Sequence, residues 1–138
     1  MKDQVTNIEQ SRRLLELGVP ADKTSMVWHR MFQGQTTGFT EWTLKMGPIG
    51  KYTQSEVFQI FPAFTVADLL GMLPKKITTN GGAVHILHIG ACSSTSPCWC
   101  LYWGDEETQV GWQDRISFLH LLEDAIEWLL SNGHGLKG

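Results

Sequence analysis

Between residues 118 and 131 the apolar positions recur with the period of a helix. At 100° per residue His120, Glu123, Asp124, Glu127 and Ser131 share one arc about 100° wide, and leucines, Phe118, Ala125, Ile126 and Trp128 fill the rest. So narrow a polar stripe predicts a long C-terminal helix covered over most of its surface. Asn132-Gly133 supplies the left-handed residue that commonly ends such a helix. Two shorter helices are predicted upstream. Thr6 with Glu9 has the spacing of a capping box, Leu14, Leu15 and Leu17 follow, and Gly18 and Pro20 stop the element, giving a helix over 7–17. Thr65 with Asp68 repeats the start signal, Val66, Leu69, Leu70 and Leu73 make an apolar stripe, and Pro74 ends it.

The segments between these helices alternate with a period of two, as strands do. Over 25–32 Met26, Trp28, Arg30 and Phe32 lie on one side and Val27, His29 and Met31 on the other. A polar, glycine-containing stretch leads to 39–46, where Trp42, Leu44 and Met46 alternate with Glu41, Thr43 and Lys45, so the two runs predict a hairpin. Residues 57–61 read as a short strand or extended connection ending at Pro62. Asn80-Gly81-Gly82 is a turn signal, and 83–89, 98–103 and 108–113 predict a meander of three strands. Hairpins without crossover units imply an α+β domain spanning 1–138, with an antiparallel sheet of about five or six strands packed by an N-terminal, a short middle and a long C-terminal helix.

Composition leaves that picture in place and narrows the chemistry. The chain has 138 residues, 42% hydrophobic and 18% charged, within the range of one folded domain. Its net charge of −3 is uneven: residues 105–138 carry −5 and the rest +2. Arg12-Arg13 and Lys75-Lys76 are the basic pairs, too sparse for the footprint that neutralises phosphates, so nucleic acid is a disfavoured partner. The polar first ten residues and the lack of any long apolar run predict no membrane association and a cytoplasmic protein. An odd number of cysteines, at 92, 98 and 100, fits free thiols in a reducing compartment.

Two clusters carry candidate chemistry. His85, His88, Cys92, Cys98 and Cys100 have ligand types that suit zinc, and a site built from His88 or Cys92 with Cys98 and Cys100 is geometrically open. His85 and His88, three apart on a strand, point to opposite faces, which weakens the cluster, and small buried thiols with strand-edge histidines explain the same residues without a metal. No motif implies a cofactor or a catalytic residue. The second cluster is aromatic. Trp99 and Trp103 share one face of their strand, Cys98, Cys100 and Tyr102 the other, and Trp112 lies on the next strand, so one face of this sheet is expected to be either covered or sticky.

Residues 10–20 (QSRRLLELGVP), 61–74 (FPAFTVADLLGMLP) and 118–133 (FLHLLEDAIEWLLSNG) resemble a loose group of small uncharacterised proteins encoded by gut bacteria and by their phages and other mobile elements. The resemblance implies a shared α+β scaffold and a mobile-element origin. It transfers no catalytic or binding residue. The expectation is thus a non-enzymatic accessory protein meeting a protein partner, or a second copy of itself, through Trp99, Trp103 and Trp112 or the acidic C-terminal segment. The alternative is a metal-binding protein or small enzyme built around 85–100.

Overall fold

The computed structural model describes residues 4–78, 84–91, 99–104, 109–114 and 118–137. Its elements are α1 (Ile8–Glu16), β1 (Met26–Met31), β2 (Thr43–Met46), β3 (Phe58–Ala63), α2 (Val66–Met72), β4 (Lys76–Thr78), β5 (Val84–Ala91), β6 (Trp99–Gly104), β7 (Gln109–Asp114) and α3 (Phe118–Ser131). The class is α+β with antiparallel strands, as the sequence implies. The single sheet of five or six strands is not what forms. The strands divide between a three-stranded sheet, ordered β2-β1-β3, and a four-stranded sheet, ordered β4-β5-β6-β7. Alternation fixes the face each residue takes but not which strand lies beside it, and β3 returns to pair with β1 instead of joining the later strands. Contacts group the chain into two compact units, one ending at Asp68 and one beginning at Leu69.

In the first unit β1 is central, with Trp28 opposite Leu44 on β2 and opposite Phe61 on β3. Val5, Met26, Trp28 and Ala63 form a buried cluster on this face, joined by the partly buried Ile8, Trp42, Leu44 and Phe61. The capping box of α1 sits one residue later than the sequence spacing suggests. Asn7 caps the helix by accepting from the Gln10 N–H, and the Gln10 side chain accepts from the Asn7 N–H. Thr6 is committed elsewhere: its buried hydroxyl lies 2.6 Å from Ser11 Oγ and accepts from the Phe64 N–H at 2.9 Å, while its carbonyl accepts from the Trp28 indole at 2.8 Å. This knot ties the start of α1 to the end of β3. Gly18 (φ 101°) closes the helix, with the Gly18 and Val19 N–H groups donating to Leu15 and Leu14.

The Thr65–Asp68 box forms as expected, each side chain accepting from the other residue's N–H at 3.0 Å. The Asp68 carboxylate also accepts from Ser25 N–H and Oγ, which fixes the entry to β1.

In the second unit the expected meander β5-β6-β7 gains a short fourth strand, β4, on its outer side. The Asn80-Gly81-Gly82 turn lies outside the described residues. α3 packs against β6 and β7, with Leu119, Leu121, Leu122, Ala125, Ile126 and Leu129 buried. Gly133 (φ 77°) ends it, with the Gly133 and His134 N–H groups donating to Leu130 and Leu129. The polar arc of this helix departs from expectation at one position, since Glu123 is 1% exposed. A helical wheel gives an angle, while burial depends on what the neighbouring elements place there. His120 and Asp124 do stay on the solvated side, with His120 Nδ1 3.8 Å from Asp124 Oδ2.

Candidate functional site

Along one face of β1, Met26 and Trp28 enter the core and the next position, two residues on, is Arg30. A guanidinium on a core-facing parity needs partners for its charge. The chain supplies them from two other segments. The guanidinium carbon of Arg30 lies 4.4 Å from the ring centroid of Phe39 and 4.4 Å from that of Trp42, placing the cation against two aromatic faces. Its Nε donates to Gln59 Oε1 at 2.7 Å, and Gln59 stands directly opposite on β3. Held by two rings and one amide, the fork keeps a fixed orientation. Its Nη donors take no partner among the described residues.

Arg30 lines a groove of about 420 Å³ in the first unit. A second cation, Arg12 on α1, lies 5.8 Å from the Phe61 ring and lines the same groove. Ile8, Trp42, Ile49, Phe61 and Pro62 supply apolar surface and Gln54 and Gln59 two amides, with no Asp or Glu in the lining. This is the size of a small-ligand or peptide site, with an apolar floor and a few placed donors. The field within it favours an anion.

The outer edge of β3 adds a further polar element. The Phe32 N–H donates to the Val57 carbonyl, so by antiparallel alternation residues 59, 61 and 63 bond to β1 while 58, 60, 62 and 64 turn their backbone groups away from it. Two of those four are paired and a third has no donor. Phe58 exchanges bonds with Ser55, Phe64 with Thr6, and Pro62 has no N–H to donate. Ile60 alone turns an N–H and a C=O outward with no partner among the described residues, and it lines the groove while being only 6% exposed.

No family model, no curated protein and no solved structure matches this chain.

The residues singled out in the sequence fall elsewhere. Trp103 is wholly buried, its indole N–H donates to the Pro74 carbonyl at 2.9 Å, and its ring stacks on Trp128 with centroids 6.3 Å apart. It is a core residue of the second unit and not the docking residue expected from the sequence, because its indole needs an acceptor and has one inside. The side chains of Trp99, Trp112 and Cys100 lie outside the described residues, although their backbones run in β6 and β7, and Cys92 and Cys98 lie outside altogether. His85 and His88 take opposite faces: His85 is 3% exposed and its Nδ1 has no hydrogen-bond partner among the described residues, whereas His88 is exposed. Among the described residues no three His, Cys, Asp or Glu side chains gather as metal ligands would. No helix among them is long and apolar enough to cross a membrane.

Elsewhere in the first unit, His29 packs on Phe58 (5.2 Å) and Tyr52 (6.3 Å). Burial first, and the positive Lys45 second, hold its pKa below the ordinary 6.5. It is neutral at physiological pH.

The sequence carries one signal for Arg30. This residue breaks the apolar parity of Met26, Trp28 and Phe32 with a charge, and such a residue must be solvated, paired or functional.

Proposed function

We propose that the protein is a non-enzymatic accessory module, cytoplasmic and of phage or mobile-element origin, that acts by binding a protein partner through the groove between Arg12 and Arg30. The observation that carries this reading is the Arg30 fork, oriented by Phe39, Trp42 and Gln59 while its Nη donors stay uncommitted. Donors fixed in advance lose little freedom on binding, which favours recognition. The lining supports binding over catalysis: it offers guanidinium, amide and apolar groups, and none of the hydroxyl, thiol, imidazole or carboxylate groups that act as nucleophile or general base.

The test is selection of a displayed library of random twelve-residue peptides on the immobilised protein, repeated on Arg30→Gln. Peptides enriched on the parent and lost on the variant are expected. Should every enriched peptide bind both proteins equally, the groove is not the binding site.

A second docking surface has one observation in its favour. Val84 and Ile86, 54% and 51% exposed, lie on the face of β5 opposite the buried His85, and self-association through that face is a reading that analytical ultracentrifugation of Ile86→Lys would test. A parent that is monomeric at high concentration would end it.

A further inference from the structure

Granting that the groove binds a protein partner, we infer what the partner presents: an extended peptide segment with one Asp or Glu carboxylate set end-on to the Nη groups of Arg30 and one backbone peptide unit paired to Ile60. Three features of the groove lead there.

The first is charge. Arg12 and Arg30 line the groove without an acidic residue, and neither has a carboxylate partner among the described residues. An anionic group entering there meets uncompensated cations in surroundings where most of the surface is apolar. Charge-assisted hydrogen bonds of this kind are the strong ones.

The second is the shape of the Arg30 fork. With Nε already donating to Gln59, the side-on approach that uses Nε with one Nη is taken. The end-on approach, two Nη donors in one plane, remains. It matches the two coplanar oxygens of a carboxylate. A phosphate dianion carries more charge and three acceptor oxygens, and the only further cation the groove offers it is Arg12. Base stacking is equally ill served, because the Arg30 guanidinium already lies against Phe39 and Trp42, the two rings beside the fork.

The third is Ile60. The backbone N–H and C=O of Ile60 are unbonded on a residue that is 6% exposed, and such groups cost free energy unless something pairs with them. Their spacing is that of one residue on a strand edge, the element that an added peptide strand satisfies. Arg30, Gln59 and Ile60 all line the one groove, which places a single extended segment to meet both groups.

The experiment takes the consensus of the peptides selected above, made as a fluorescein-labelled synthetic peptide, and measures its affinity for the full-length protein by anisotropy. An invariant Asp or Glu flanked by apolar residues is expected. Its replacement by Asn or Gln should raise Kd at least tenfold, as should N-methylation at one particular residue. Arg30→Lys should weaken the parent peptide similarly, since a point charge lacks the planar fork. The peptide changes are independent of protein folding, and far-ultraviolet circular dichroism checks the variant. A consensus without an acid, or an amide peptide that binds as tightly, overturns the carboxylate while leaving an Arg30-dependent module standing. A phosphoserine peptide binding more than tenfold tighter overturns it in favour of phosphate. Indifference to N-methylation at every position overturns the pairing with Ile60. If no selected peptide depends on Arg30, both the inference and the reading beneath it fall.

Discussion

Thr6 is the residue whose replacement tests most directly how the groove is held in shape. Thr6→Val keeps the side chain's volume and removes its oxygen. That oxygen accepts from the Phe64 N–H at 2.9 Å and lies 2.6 Å from Ser11 Oγ, and Thr6, Ser11 and Phe64 are all fully buried. The change therefore strands two polar groups that water cannot reach. At about 1–3 kcal/mol for each buried group left unpaired, the loss is roughly 2–6 kcal/mol, a large part of the ~5–15 kcal/mol that keeps a typical domain folded. Ser11→Ala removes one bond and leaves Thr6 its Phe64 donor, so about 1 kcal/mol is expected. In the double variant Ser11 no longer contributes an orphan, and the combined loss should fall short of the sum by about 1 kcal/mol. Urea denaturation followed by tryptophan fluorescence and near-ultraviolet circular dichroism measures all four proteins. A Thr6→Val protein within about 0.5 kcal/mol of the parent, or strict additivity, would refute the reasoning. Because the knot joins α1 to β3, the single variant should also loosen Arg12 from Phe61 and weaken any ligand of the groove.

Three further outcomes follow from other parts of the chain. Trp103→Ala should cost about 3–5 kcal/mol by denaturant melt, since it empties a buried site, while Trp103→Phe keeps the packing and loses mainly the bond to Pro74. Gly133→Ala should cost about 1 kcal/mol: there is open space around the site, so the penalty comes from the positive φ alone. With its folded pKa lowered, His29 binds protons more readily in the unfolded chain. Its contribution is therefore complete above about pH 6.5 and declines as pH falls toward the folded value, so His29→Phe should flatten the pH dependence of stability over that window, and an unchanged profile would discount the residue.

The elements with strong local signals were the readable ones. α3 and its glycine stop, the hairpin of β1 and β2 and the Thr65–Asp68 cap each depend on neighbours within a few residues, and all form as the pattern implies. β4 went unseen because three residues after a proline carry too little alternation. Which strands would share a sheet was not legible either, because pairing β1 with β3 spans about thirty residues and leaves the same alternation in both. Glu123 shows the same limit on a helix: its polar identity predicted solvent and the tertiary surroundings decided otherwise. The groove is the extreme case. Arg30, Phe39, Trp42 and Gln59 belong to three separate stretches of chain, so only the unexpected charge on β1 hinted at it. Trp103 misled because aromatic content on two faces of a strand does not say which face meets the helix.

Pro62 has a consequence beyond the groove. An exposed sheet edge can recruit strand after strand from other molecules, and the hazard grows with the number of consecutive free donors. On β3 the donor before Ile60 is occupied by Ser55, the one after it is abolished by proline, and the next is taken by Thr6. The edge can thus accept a contact one residue long and cannot seed a ladder. Replacing Pro62 with a residue that has an N–H would add a second docking point beside the first and move the protein toward self-templated growth. In that sense the proline keeps a receptive edge from becoming a polymerising one.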